Sequence, residues 1–371
     1  MGLHLPLGFL GLGAAMLGAS APPPSALLPS SEFLPDRAAL ALPVKTTTSP
    51  VGSVARALAG EPAPTDEAER TCHAQLERLH DGTNPSWPTQ YEPDIEPIHK
   101  AAGIDAMRFR GSLAGSATTA IVDRLDLSRG ARVALTGGRD LSDDDTRHAS
   151  AAYDTGRDPH LPPRPLDRHW EAVSAAFGDR AFAAINGQFF GATPVRLAFP
   201  LKADGVIVSG GYAGRDEYDG EKLMLAIDGD RATILPFPEV GYPENPLFPE
   251  VPDAIVGLHP CAEKGRDRAV GRTFAGVADR DADGHPETLL FLTASHASQR
   301  DAIAILGRFG ALATVMLDGG GSTQSIALGR TLLTSSEATA RPIPHAIGLL
   351  SAPPVTRSEE RRVGKECRSR W

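Results

Sequence analysis

Cysteine is scarce in this chain, with only Cys72, Cys261 and Cys367 present. No pair of them has the spacing of a structural zinc site. The eleven histidines form no His-x-x-x-His or comparable ligand pair, so no metal is expected. Basic charge is short as well: 37 Lys and Arg stand against 46 Asp and Glu, a net charge of -9. That balance argues against a nucleic-acid partner, which is met through a basic face. One or two local arginines can still hold a single phosphate of a small anionic substrate. Long apolar runs are missing too. The uncharged stretch Met1–Met16 is too short to cross a bilayer, so no stable membrane span is expected. No Gly-Lys-Ser/Thr follows a glycine loop at P-loop spacing, and no cofactor is expected. The Gly-x-Ser-x-Gly elbow of a serine hydrolase is absent, because Gly320-Gly321-Ser322-Thr323-Gln324 lacks the last glycine. An acyl-transfer role for Ser322 loses its support with it. There is no internal repeat.

What is present begins with two ends of non-globular character. Residues 1–21 read as a signal peptide, with Ala19-Ser20-Ala21 as the small-x-small cleavage pattern and His4 as the sole candidate cation of the leading segment. The chain is therefore expected to be secreted or periplasmic. Residues 22–98 read as a Pro/Ala-rich disordered linker and extended lead-in. Within it, 66–81 suits one short helix with Leu76 and Leu79 on a face, and Pro85, Pro88, Pro93 and Pro97 keep the following stretch extended. The folded domain is expected over 99–352. The tail 353–371 turns charged and aperiodic and is excluded from the fold, Cys367 included. In an exported chain Cys72 and Cys261 can form one bridge; two unrelated thiols fit the sequence equally.

Inside the domain the patterns alternate. Thr118 to Leu135 reads as two strands around a Ser128-Arg129-Gly130 turn, and 137–165 as a long polar loop. A helix follows, with Asp167 as N-cap, Trp170, Val173 and Phe177 on one face and Gly178 closing it. Ala181 to Ile185 is a buried strand. Gly205 to Val208 is another, and Leu223–Ile227 with Ala232–Leu235 flank the hairpin signal Asp228-Gly229-Asp230. Arg272–Val277 and Thr288–Thr293 form a further pair. A second helix spans Ser298 to Phe309, with Ser298 and Asp301 at capping-box spacing. Leu312–Leu317 and His345–Leu350 complete the strands.

The feature that costs most is Asp318-Gly319-Gly320-Gly321-Ser322-Thr323, directly after a buried strand. Each glycine loses extra backbone entropy on folding, so a run of three marks positive φ or close approach of backbone to a ligand. Its amides suit an anion, and Asp318 stands at a strand's carboxyl end. Asn186-Gly187-Gln188-Phe189-Phe190 is a second candidate, as a plain turn or as an apolar wall for a sugar. Arg272-Thr273 opens a strand, where the arginine either clamps a phosphate or pairs with a surface acid. Asp279-Arg280-Asp281-Ala282-Asp283-Gly284 resembles the start of a calcium loop. Leu290 stands at its twelfth position, however, where an EF-hand needs a bidentate Glu, and a hairpin turn is the simpler reading.

These pieces come in a specific order: Asn186-Gly187-x-Phe189-Phe190, Arg272-Thr273, a helix, the Asp318–Thr323 loop, Arg341, and a last strand through Ala346-Ile347-Gly348-Leu349. In that order the chain resembles the phosphodiester glycosidase family, over about residues 99–352. The resemblance implies an α+β class: a single mixed α/β domain rich in β-strands and hairpins, with a few packed helices. It implies a hydrolase that cleaves between an N-acetylglucosamine-like anomeric carbon and a phosphodiester, so that the partner is a carbohydrate phosphodiester or polysaccharide. Asp318, Arg272 and Asn186 take the catalytic positions. Gly187, Phe189, Phe190, Thr273, Gly319, Gly320, Gly321, Ser322, Thr323, Arg341 and His345 take substrate-binding ones. Gln188 and His345 depart from the family's usual residues, and Asp301 stands where relatives often carry Glu. Asp318 fits as nucleophile, base or electrostatic support for an oxocarbenium-like sugar. A non-catalytic polysaccharide or sugar-phosphate binding domain on the same fold is the alternative.

Overall fold

The computed structural model describes residues 72, 93–112, 115, 117–136, 161–192, 195–213, 217–237, 251–335 and 340–354. These lie in one compact unit, Thr48–Trp371. The expected signal peptide, nearly all of the 22–98 linker with its 66–81 helix, the 137–165 loop up to residue 160, and the tail beyond 354 fall outside the described residues.

Strands dominate. The larger sheet runs in the order β1 (Ile95–Ala101), β2 (Ile104–Gly111), β3 (Thr118–Asp126), β14 (Thr288–Ala297), β13 (Val270–Ala278), β15 (Ala313–Met316), β12 (Asp253–Leu258), β10 (Lys222–Asp228) and β11 (Arg231–Pro236). Off this path, β8 (Leu201–Ala203) pairs with β12 and with β9 (Val206–Ser209). The smaller sheet has the order β17 (Arg330–Thr334), β16 (Gln324–Ala327), β5 (Ala181–Asn186), β18 (Ala346–Leu350) and β4 (Arg132–Leu135). A hairpin of β6 (Phe190–Ala192) and β7 (Val195–Leu197) stands apart. Two α-helices lie wholly among the described residues, α1 (Leu166–Phe177) and α2 (Gln299–Arg308), and Cys72 is itself helical.

The strands' alternation explains the layering. On β14, Leu289 and Phe291 face a core shared with Phe182, Ala183 and Ile185 of β5 and Ile347 and Leu349 of β18. Leu290 and Leu292 face the other way, onto Ala302, Ile303, Ile305 and Leu306 of α2. The two sheets thus pack face to face, as alternating apolar sets require. α2 covers the outer face of the larger sheet. α1 covers the smaller one, where Val173 packs so close to Gly348 that a Cβ there would come within 2.8 Å of it.

Several local expectations change. Pro165, not Asp167, is the residue before α1; Asp167 sits in the first turn, and no side chain caps the helix. β1 begins at Ile95 and runs through Pro97, where a register shift before His99 absorbs the missing N–H. The Ser128–Gly130 turn does not join a hairpin: Gly130, at φ 91°, turns the chain from β3 in one sheet to β4 in the other. The capping box at Ser298 and Asp301 is present, with Asp301 Oδ2 accepting from Ser298 N at 3.0 Å and from Ser298 Oγ at 2.6 Å. Of the two readings of the cysteines, the bridge is the one found: Cys72 and Cys261 are disulfide-bonded, 189 residues apart in sequence.

Candidate functional site

The glycine loop is the crossover between the sheets. It leaves β15 of the larger sheet and enters β16 of the smaller one. The carboxyl end of β5, the start of β13 and the residue before β18 meet it there. Asn186 ties them together from a fully buried position. Its Nδ2 donates to the Asp318 carbonyl at 2.7 Å, and its Oδ1 accepts from Thr273 Oγ1 at 2.8 Å and from Gln324 N at 3.2 Å. The backbone repeats the tie: Asp318 N donates to Gly187 O at 3.1 Å and Leu317 N to Thr273 O at 2.9 Å.

The glycines are explained by close approach. A Cβ on Gly319 would lie 2.7 Å from the Gly271 carbonyl oxygen, and one on Gly271 would lie 2.8 Å from Thr323 Oγ1. Gly320 alone of the three needs positive φ, at 60°. Gly187 has no room for a side chain because the His345 ring fills that space. His345 is buried, and its Nδ1 accepts from Gln188 N at 3.1 Å, which leaves the proton on Nε2. Burial, with the nearby His169, pushes its pKa down to about 3, so the ring is neutral at ordinary pH.

Asp318 is 8% exposed. Burial pushes its carboxyl up to about 6, against a hydrogen bond from Ser322 and the charge of Arg341, which pull it down. Its Oδ2 has no hydrogen-bond donor, and Arg341 Nη2 stands 3.6 Å away. Arg341 reaches Ser322 Oγ through Nε at 3.0 Å and Nη2 at 2.6 Å. Ser322 is therefore a bridge from guanidinium to carboxylate, buried and already engaged, rather than a free nucleophile. Arg341 also lies over Phe190, 4.9 Å from the ring centroid, and half of its side chain is open to solvent. Gln324 Nε2 holds its carbonyl at 2.9 Å.

Arg272 does not join this group as a phosphate clamp. Its guanidinium is buried, and all five donors have partners: Ala297 O and Lys264 O at 3.3 Å, Arg268 O at 3.0 Å, Gly265 O, and Met316 Sδ at 3.8 Å. Burial, with Arg268 nearby, lowers its pKa to about 10. The arginine beside Asp318 is Arg341. Thr273 is consumed by Asn186, and Phe189 is buried edge-on against Phe199 with centroids 5.8 Å apart. Thr323 lies inside, its Oγ1 against Gly271.

Sequence reading missed Gly271, Gln324, Lys264 and Tyr212. Gly271 carried a signal, since a glycine inside a strand marks close backbone approach. Gln324 showed none, and neither did Lys264, whose ammonium lies 5.8 Å from the Phe189 centroid. Tyr212, 41% exposed, stands against Gly191, and partial burial, then the charge of Glu217 and to a lesser degree that of Asp318, raises its pKa. Asp279, Asp281 and Asp283 have carboxylate oxygens within 4.8 Å of one another. They lie in the β13–β14 turn and accept backbone N–H groups of that turn, as in Gly284 N to Asp279 Oδ2 at 2.8 Å.

Comparison with known proteins gives three findings. The family model for phosphodiester glycosidases matches residues 179–350. No curated protein sequence matches the chain. Among solved structures, the catalytic domain of zebrafish N-acetylglucosamine-1-phosphodiester alpha-N-acetylglucosaminidase, auto-inhibited by its pro-peptide, is 16% identical with a TM-score of 0.45, over 73% of this chain and 87% of that one. A hypothetical protein from Synechocystis is 13% identical with a TM-score of 0.44, over 70% of this chain. The present chain spans 64% of that protein's length.

Proposed function

We propose, from the match of residues 179–350 to the phosphodiester glycosidase family model, that the chain hydrolyses the bond between a sugar's anomeric carbon and a phosphodiester oxygen, with an N-acetylglucosamine-like sugar as substrate. The observation that carries this reading is Asp318. It is a buried carboxyl whose Oδ2 lacks a donor and faces a half-exposed guanidinium. Ionised, it stabilises the positive charge that grows at the anomeric carbon. The C–O bond breaks with its electron pair going to the phosphate oxygen. Water supplies the hydroxyl that ends on the sugar and releases one proton. Arg341 offsets charge on the departing phosphate. A phosphomonoester leaves readily, so a strong general acid is dispensable. Asn186 and Ser322 act by holding Asp318 rather than by touching substrate.

The Cys72–Cys261 bridge supports export, because disulfides persist in oxidising compartments. Among the described residues no helix is long and apolar enough to cross a membrane.

The test is release of sugar from a methyl phosphodiester of N-acetylglucosamine 1-phosphate. Turnover is expected, and Asp318→Asn is expected to lower kcat/KM by about 10³-fold or more. Full activity in that variant removes Asp318 from the mechanism. One observation favours the binding-domain alternative: of Asn186–Gln188, Thr273, Asp318–Gln324, Arg341 and His345, only Asp318 carries a carboxyl group. Binding without turnover across a panel of such diesters selects that alternative.

A further inference from the structure

Two adjacent aromatic residues of the site each carry a cation. Arg341 lies over Phe190. Lys264 Nζ lies 5.8 Å from the Phe189 centroid and 5.2 Å from that of Tyr218. An ammonium has three donors, and contact with a ring face uses none of them as a conventional hydrogen bond. One donor goes to Tyr218 Oη at 2.9 Å. Among the described residues Lys264 has no carboxylate partner, and the residue is exposed. Its charge nevertheless reaches the reaction centre, for it is one of the influences that hold Asp318 down.

The position of Lys264 is enforced from beneath. Its carbonyl accepts from Arg272 Nη1 at 3.3 Å and from Gln299 Nε2 at 3.5 Å. The rest of the Arg272 fork takes the carbonyls of Gly265, Arg268 and Ala297. Cys261, just upstream, is bridged to Cys72. A buried guanidinium without an acidic partner among the described residues, together with a disulfide, therefore holds in place a short loop that presents beside the aromatic wall an ammonium bonded to Tyr218 Oη but to no carboxylate of the described residues.

We propose that Lys264 and Arg341, seated on Phe189 and Phe190, together form the subsite for the anionic oxygens of the substrate's phosphate, with Arg272 as a positioning residue that acts through Lys264. This rests on the reading of the Asp318 loop as a sugar-phosphodiester site. A phosphodiester has two unbridged oxygens sharing one negative charge, and a third oxygen gains charge as the glycosidic bond breaks. Two cations from separate elements meet that demand. Lys264 serves as a movable point charge and Arg341 as a planar fork already oriented by Ser322.

The experiment compares wild type, Lys264→Met, Lys264→Arg and Arg272→Met. It measures kinetics on the methyl phosphodiester and calorimetric Kd values for N-acetylglucosamine 1-phosphate and for uncharged N-acetylglucosamine. Lys264→Met is expected to raise KM for the diester and Kd for the sugar phosphate about 10-fold, the scale of one charge-assisted contact. It should leave the uncharged sugar's Kd unchanged, and Lys264→Arg should recover most of the loss. Arg272→Met should reproduce the charged-ligand defect, with no further loss when combined with Lys264→Met. If wild type turns over the diester while Lys264→Met keeps its KM and Kd, the inference is overturned and the hydrolase reading stands. Binding without turnover, lost in Lys264→Met, upholds the subsite and removes the hydrolysis. If wild type neither turns over nor binds, both are overturned.

Discussion

At the scale of single residues, the site works by contrast between burial and charge. Asp318 is lifted to about 6 by burial, while Ser322 and Arg341 hold it lower than burial alone would. If ionised Asp318 is needed, kcat/KM should rise with pH through a limb near 6. Removing either partner takes away a downward influence, so Ser322→Ala should shift that limb to higher pH. A limb that stays put or moves down in the pH profile of this variant contradicts the assignment of Ser322 as bridge. Asn186 is a different case. Its side chain serves the Asp318 carbonyl, the Thr273 hydroxyl and the Gln324 amide from a fully buried place. Asn186→Leu leaves those groups unpaired in the interior and should cost roughly 1–3 kcal/mol for each that finds no other partner. Urea denaturation measures this, and an unchanged midpoint argues against the tie.

At the scale of elements, legibility followed the length of the pattern. α2 could be read because Ser298 and Asp301 form a capping box and the apolar spacing persists to Gly310. β13 and β14 could be read because their runs are long and the turn between them is rich in Asp and Gly. β16 and β17 were missed: each is short, and each is defined by a partner strand distant in sequence, such as β5 for β16. The destination of β3 and β4 in different sheets was also hidden, since pairing with β14 and β18 leaves no local mark. Of the site, the glycine loop and the Asn186–Phe190 turn were legible as backbone features. The exchange of roles between Arg272 and Arg341 was not, because it depends on which carbonyls surround each guanidinium. β3 also carries Asp123, fully buried, with neither carboxyl oxygen hydrogen-bonded. Burial raises its pKa to about 7, above the ordinary 3.8. The folded state therefore holds the proton more tightly than the unfolded chain. The stability this brings is complete below the unfolded value and is lost as pH climbs through about 7. Within that window each pH unit removes at most about 1.4 kcal/mol. Asp123→Asn should flatten the dependence of melting temperature on pH between acid and neutral, and an unaltered slope would count against it.

At the scale of the whole molecule, the Cys72–Cys261 bridge spans 189 residues of sequence and ends beside the loop that presents Lys264. Closing so long a loop restricts the unfolded chain, and removing the bridge should cost roughly 2–5 kcal/mol. Cys72→Ser should therefore unfold at lower denaturant and, at conditions where it stays folded, bind sugar phosphate more weakly than wild type. Equal affinity in the folded variant separates the bridge from the site. The crossover from β15 to β16 has a consequence of another kind. Gly319 rests on Gly271, Thr323 O accepts from Ser335 N at 2.8 Å, and the Asn186 side chain closes the ring of contacts, so each wall of this junction is braced by a strand from elsewhere in the chain. Such a junction has no slack to give up when a ligand arrives. Its amides at Leu317, Asp318 and Thr323 should exchange with deuterium slowly in the empty protein and hardly more slowly in the filled one, and recognition here becomes a matter of entering a shape that already exists.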